Sequence, residues 1–309
     1  MASTAKESVA KRVVSASLGT SARNKCTEAT FFGQTYWLER IGTDGDTERL
    51  KRLIAELDGH ADAIGLGGTN LYLSAGDRKY TVRSSAQYAA IAKQTPVVDG
   101  HGIKRYIEPE LIRYLDRETP YKLRGAKVLH VCAVDRWGMA QAMHELGAEL
   151  ILGDLMFAIG IGVPLRSLRT VEILGRLLLP IIVRMRTETV GYPTGEKQRR
   201  ATQRFERYYR WADYISGDYL FIRKHLPNDM SGKVVITNSV TEQDVEDLRQ
   251  RGVRAFVTAS PRIDGRSFAT NVLEGVLVAS LGKPPSELGR EEYLEFARRL
   301  NWQPYIETL

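Results

Sequence analysis

The chain has 309 residues, 43% of them apolar, enough for a large buried core and more suited to two domains than to one. Lys and Arg number 44 against 37 Asp and Glu, and this net charge of +7 is spread along the chain, which favours anionic small molecules without indicating nucleic acid. Two cysteines, Cys26 and Cys132, make no disulfide framework, and the absence of zinc-type Cys/His spacing excludes a metal site of that kind.

The opening MASTAKESVAKR is polar and has no signal-peptide core. The longest apolar stretches, 151–164 and 171–183, are too short for a bilayer and are broken by Asp154, Glu172 and Arg176. A cytoplasmic protein with no membrane role is expected. The stretch 171–183 suits packing on a partner, a second copy of the chain included.

In chain order, 12–18 reads as a strand ending in a Gly-Thr-Ser turn, and 29–41 as a hairpin turning at Gly33-Gln34. Thr43-Asp44-Gly45-Asp46 is a break and a helix cap, with Leu50, Leu53, Ile54 and Leu57 following at helical spacing. A strand at 62–66 runs into Gly67-Gly68. A second hairpin, 71–73 with 79–82, turns at Ala75-Gly76-Asp77. A helix at 85–93, a strand at 95–98 and a helix at 108–116 complete a mixed α/β domain over 1–120.

A polar stretch at 117–125 is the domain boundary. Strand 127–133, helix 137–146 capped by Gly147, and strand 149–152 then form a βαβ unit, which requires a parallel sheet. A helix at 165–179, ended or kinked by Pro180, precedes a turn at 192–195 and a charged helix at 196–210. Strands at 212–216, 233–237 and 255–259 alternate with a helix at 242–251. The pattern reads as a Rossmann-like, doubly wound parallel-sheet domain over 121–268. Helices over 269–309 are expected to pack back on the N-terminal domain. The fold class is therefore α/β, a mixed domain followed by a Rossmann-like one.

The turn 133–138 keeps only the last glycine, Gly138, of a G-x-G-x-x-G dinucleotide fingerprint. Asp135 stands where the second glycine lets backbone approach a diphosphate, and Arg136 beside it can offset that charge. Asp154 ends the next strand, where an acidic residue commonly binds ribose hydroxyls and favours NAD over NADP. Asp135, Arg136, Gly138 and Asp154 are the cofactor-side candidates. Asp154 also reads as an ordinary turn or cap residue.

Three segments resemble the shikimate/quinate dehydrogenase family, including bacterial proteins described as quinate 5-dehydrogenase-like. Val98-Asp-Gly-His-Gly-Ile103 resembles the family's N-T-D-G-x-G-[FI]. Ser17-Leu-Gly-Thr-Ser-Ala-Arg-Asn24 is similar to its carboxylate-binding S-x-S-P-x-x-H-N, with Gly19 and Arg23 substituted. Residues 269–278 resemble the helix that carries a substrate-binding Gln, with Glu274 nearest that place. The resemblance implies an NAD-linked oxidoreductase acting on a polyhydroxylated ring acid. It points to Asp99 as the catalytic carboxylate and to Ser15, Ser17, Thr20, Asn24, Asn271 and Glu274 as substrate-binding residues. The stretch supplying the family's catalytic lysine is absent. Lys79 by location and Lys104 by closeness to Asp99 are the substitutes, since a Lys–Asp pair can take a hydroxyl proton.

Other features have plainer readings. Gly65–Asn70 either cradles an anion or makes a tight turn. Arg166 and Arg169 share a solvated helix face. The basic, aromatic 196–210 is the one nucleic-acid candidate and is more readily an amphipathic surface helix. His101 is an acid–base candidate beside Asp99, and His130 a hydrogen-bonded core residue. Two rival classes stay open: a non-catalytic anion-binding or regulatory protein on a Rossmann scaffold, and a lyase or transferase using the cleft between domains.

Overall fold

The computed structural model describes residues 10–185, 202, 204–260, 262–263 and 266–309. The chain first folds as β1 (Lys11–Ser17), β2 (Lys25–Phe31), β3 (Gln34–Gly42), α1 (Thr47–Leu57), β4 (Ala63–Gly67), β5 (Tyr72–Ala75), β6 (Arg78–Thr81), α2 (Arg83–Ala89) and β7 (Val97–Val98). Five strands form a sheet in the order β2-β3-β1-β4-β7, parallel except for β2. The β2–β3 turn takes positive φ at Phe32 and Gly33, the backbone twist that suits a two-residue hairpin. Asp46 caps α1 through the Glu48 and Arg49 N–H groups. Leu50, Ile54 and Leu57 of α1 then join Val14 and Ala16 of β1 in one core, each large side chain contributing about 2 kcal/mol. The β5–β6 hairpin stands apart from the sheet.

A π-helical turn (Ile103–Ile107) and α3 (Glu108–Glu118) lead to the second sheet. There follow β8 (Lys127–His130), α4 (Trp137–Glu145), β9 (Glu149–Leu152), α5 (Leu168–Ile182), α6 (Glu206–Trp211), β10 (Tyr214–Ser216), α7 (Tyr219–Lys224), β11 (Val234–Thr237), α8 (Glu242–Gln250) and β12 (Ala255–Thr258). After a small hairpin of β13 (Arg262–Ile263) and β14 (Arg266–Ser267) come α9 (Thr270–Leu281), α10 (Arg290–Arg299) and β15 (Tyr305–Thr308). The sheet order is β9-β8-β10-β11-β12-β15, parallel except for β15. The architecture is thus α/β with two parallel-dominated, Rossmann-like layers. Helix α9 lies on β1 and β4 of the first sheet, where Gly275 allows it close: a Cβ there would come 2.5 Å from Val13. Among the described residues no helix is long and apolar enough to cross a membrane.

Several elements differ from the sequence reading. Strand β8 stops at His130 rather than at 133, because residues 131–136 leave the sheet to build the cluster described below. Pro180 does not end its helix: α5 runs on to Ile182, with the proline exposed so that the lost hydrogen bond faces water. The final segment, expected with the N-terminal domain, returns as β15 to pair with β12. The turn expected at 192–195 and residues 196–201 and 203 of the basic helix expected at 196–210 lie outside the described residues. In the part that is described, Phe205, Tyr208 and Tyr209 are buried.

Candidate functional site

In both sheets the chain order reverses beside the first strand, between β1 and β4 and between β8 and β10. Such switch points part the loops at the carboxyl ends of the strands and open a crevice. The two crevices share one polar cleft, a cavity of about 120 Å³. Its floor on one side comes from Ser15, Ser17 and the Gly67–Asn70 turn, and on the other from Asp218 after β10 and Asn238 after β11. Parallel register sets Arg40 of β3 opposite Ser15, and antiparallel register sets it opposite Lys25, so all three share one sheet face at the cleft. The Arg40 guanidinium is steadied by the Thr20 carbonyl (3.0 Å) and the Ser17 hydroxyl (3.1 Å).

Lys104, on the π-helical turn, is almost fully buried yet borders the cleft. Its Nζ donates to Asp135 Oδ1 and to Asn70 Oδ1, each at 2.7 Å. Arg136 is buried beside this pair and contacts three carboxylates: Glu108, Asp218 at 3.0 Å and, through Nε, Asp135 at 3.5 Å. Two cations therefore meet three acids in a dry interior. Burial pushes the Glu108 carboxyl above its ordinary range, and a proton there would balance the cluster. Asn238 orients Asp218 with an N–H bond of 2.7 Å.

The loop before Lys104 is held from below. Glu274 of α9 accepts the N–H groups of Gly100 (2.7 Å) and Gly102 (2.8 Å) and the Tyr293 hydroxyl (2.6 Å). Burial, then the Asp99 charge, raise the Glu274 pKa to about 7. Gly102 has no room for a side chain, since a Cβ would stand 2.0 Å from the Tyr293 ring. Gly102→Ala is expected to destabilise the protein by about 2–3 kcal/mol in urea unfolding, and Tyr293→Ala in the same chain should recover part of that loss.

Of the residues singled out from sequence, Ser15, Ser17, Asp99, Lys104, Arg136 and Asn271 border the cleft. Asp135 reaches it through Lys104. Asp99 does not pair with Lys104. Its carboxylate accepts the Leu71, Tyr72 and His101 N–H groups at 2.6, 3.0 and 3.1 Å and so fixes the turn before β5. Lys79 lies on the outer hairpin, its ammonium 4.3 Å from the Tyr72 ring, far from the lysine role assigned to it. Thr20 caps a short turn by accepting from the Ala22 N–H, and Asn24 accepts the Gly42 N–H at 2.6 Å; both are structural. Glu274 is spent on the loop and does not reach the cleft. His101 packs on Tyr72, and burial lowers its pKa to about 4. His130 is buried with Ser216 as partner (2.8 Å). Arg166 pairs with Glu149 at the surface (3.7 Å). Sequence reasoning passed over Lys25, Arg40, Glu108, Asp218 and Asn238. The register of β3 was the one available signal, since it carries Arg40 to the same face as Ser15.

The turn does not form the diphosphate cradle of a dinucleotide fold. A Cβ on Gly138 would stand 2.8 Å from the Lys104 carbonyl and 2.9 Å from that of Arg105, so this glycine serves helix packing. Asp135 is neutralised by Lys104 and Arg136, which removes its repulsion but fills the place with a carboxylate. Asp154 does end the second strand of the sheet. Its Oδ1 accepts the Val134 N–H (2.9 Å), and its Oδ2 is buried without a partner. Burial raises its pKa to about 6. The folded state then holds a proton that the unfolded chain releases near pH ~4, so stability falls as pH rises from about 4 to about 6. Relative to the parent, Asp154→Asn should gain about 3 kcal/mol between those limits, read from urea melts across pH. Among the described residues no His, Cys, Asp and Glu group is arranged to hold a metal ion.

The fold and site define an α/β protein of two Rossmann-like sheets with a charged cleft between their facing ends. The chain belongs to the family described as domain of unknown function DUF8754, which matches residues 102–309; domain of unknown function DUF8753 matches residues 12–99. The two matches meet between residues 99 and 102. No curated protein matches the chain. Among solved structures it is similar to an ABC transporter solute-binding protein from Burkholderia multivorans, with 11% identity, 97% of this chain and 99% of that one covered, and a TM-score of 0.39. It is similar also to a hetero-hexameric glutamate dehydrogenase from Thermus thermophilus, with 14% identity, coverage of 94% and 73%, and a TM-score of 0.42. A dipicolinate synthase chain from Bacillus halodurans aligns at 14% identity, coverage of 89% and 98%, and a TM-score of 0.29. The architecture rests on the strand orders above rather than on these distant likenesses.

Proposed function

We propose that this protein binds a small polyhydroxylated anion, such as a hydroxylated ring acid of the quinate or shikimate kind, in the cleft between its sheets. The Lys104–Asp135 pair is the proton-transfer group in this reading. The observation that carries it is the burial of the Lys104 ammonium at the cleft floor, pinned at 2.7 Å by Asp135 and by Asn70. A charge kept in so dry a place serves a ligand or a proton better than it serves stability. Arg40 and Lys25 supply the cationic wall for the anion, while Ser15, Asn271 and Asn238 offer hydroxyl and amide partners for a polyol. Calorimetric titration with quinate, shikimate and an uncharged cyclitol tests this. Saturable binding of the acids and none of the cyclitol is expected, and silence from every hydroxylated acid would reject the reading.

A second reading is an NAD-linked oxidoreductase on the same ligand class. It is favoured by Asp154 at the end of the second strand and by cavities on both sides of the β8–α4 turn. It requires the diphosphate to bind without a glycine cradle. Fluorescence titration with NAD and NADP decides it, and no response to either at millimolar concentration would remove it.

A further inference from the structure

Beyond the Lys104–Asp135 pair lies a second cavity, of about 110 Å³. Its walls are almost wholly apolar: Val134 from the turn after β8, Leu155 and Leu165 from the segment after β9, and Leu174, Leu178 and Leu179 from α5. An apolar cavity of comparable size, on the order of 150 Å³, is known to stay dry and to hold a benzene ring. Asp154 breaks the apolar lining, and it is a buried side chain whose Oδ2 has no partner. An acceptor kept dry and unmatched weakens the fold unless something donates to it. Thr69, Asn70 and Asp135 complete the lining, and apolar walls with a few polar groups are the usual make-up of a small-molecule site.

We propose that this cavity is a second binding site, for a free, uncharged six-membered-ring compound that carries one N–H or O–H donor. The ring lies against α5 and the loop after β9, and the donor is directed at the Asp154 carboxylate that borders the cavity. Burial raises the Asp154 carboxyl, which fits a neutral guest better than a cation. A carboxylate on the ring is excluded by the Asp154 carboxylate and by the dry walls. The site shares the Gly68–Asn70 turn with the polar cleft and borders Asp135 of the lysine pair, while its apolar walls on α5 and after β9 belong to it alone.

Saturation-transfer NMR with benzamide, phenol and benzoate on the full chain tests it. Benzamide and phenol should bind and benzoate should not. Ala158→Phe, which puts a ring in from the loop after β9, should abolish binding. Leu178→Trp on the more exposed side of α5 provides the same block should the first variant fail to fold. Asp154→Asn should weaken phenol roughly tenfold. Arg40→Met, on the wall of the polar cleft away from this cavity, should leave these ring compounds unaffected, whatever it does to hydroxy-acid binding. The proposal is overturned if neither ring binds, or if binding persists in a folded, filled variant. Protection by NAD with no response to any free ring would likewise overturn it, assigning the cavity to a dinucleotide.

Discussion

Replacing Arg136 by Met is expected to cost about 3–5 kcal/mol of stability, more than the overpacking at Gly102. Arg136 is enclosed, and its guanidinium contacts Glu108, Asp218 and Asp135. Methionine fills much of the volume but leaves those carboxylates facing one another, with only Lys104 nearby. Breaking one partner out of a buried cluster costs far more than the cluster gains over an apolar replacement, because the remaining charges stay desolvated. For a protein of this size the melting temperature should drop on the order of 10 °C. The loss should also depend on pH. Without the guanidinium, Glu108, whose carboxyl burial already raises, takes up a proton in the folded state that the unfolded chain has released, so the variant should weaken further as pH rises from about 5 to about 8. Thermal melts at both ends of that range check this. A loss below about 1 kcal/mol at pH 8 would mean that the cluster is wetter than its burial indicates. Arg136→Lys should recover only part of the stability, because one ammonium cannot reach three acids in fork geometry.

The α/β alternation was legible because each strand and helix has its own period. In β1 every residue from Val13 to Ser17 is buried, the continuous burial of a strand covered on both faces. The Gly33 turn, the Asp46 cap and Gly147, with φ of 83°, follow from local chemistry and needed no tertiary information. Strand β15 was not legible. Its four residues, Tyr-Ile-Glu-Thr, acquire strand character only from the edge of β12. The candidate site was legible in part for a related reason. Arg136 belongs to a short motif and Ser15 and Lys104 flank others, whereas Asp218 and Asn238 sit after ordinary strands and gain meaning only where the second switch point opens. Asp99 and Glu274 were singled out as ligand contacts, but they are spent on backbone N–H groups. A sequence marks a carboxylate without telling whether it faces a ligand or its own chain. Asp135 shows the same limit: read along the chain it opposes a phosphate, and in the fold it is the partner of a lysine 31 residues away.

Lys104→Met should weaken binding of the hydroxy acid by at least ~100-fold, the scale set by truncating one member of a buried, hydrogen-bonded charge pair. The fold should survive this change better than it survives the loss of Arg136. Asp135 still has the Arg136 guanidinium at 3.5 Å, and Asn70 is partly at the surface. Lys104→Arg should not rescue binding, because Asp135 and Asn70 grip a compact ammonium at 2.7 Å from two sides and leave no space for a planar fork. Asp135→Asn separates the two roles of the pair. The ammonium remains to meet an anion, so affinity should stay within about fivefold of the parent. The carboxylate that would accept a proton beside the ammonium is gone, so any turnover that uses the pair for proton transfer should fall while affinity holds. Calorimetry on the two variants, followed by rate measurements where turnover exists, reads both effects. Equal loss of affinity in the methionine and asparagine variants would make the pair a structural tie between the π-helical turn and the β8–α4 turn. Loss confined to the methionine variant would place the ammonium against the ligand itself.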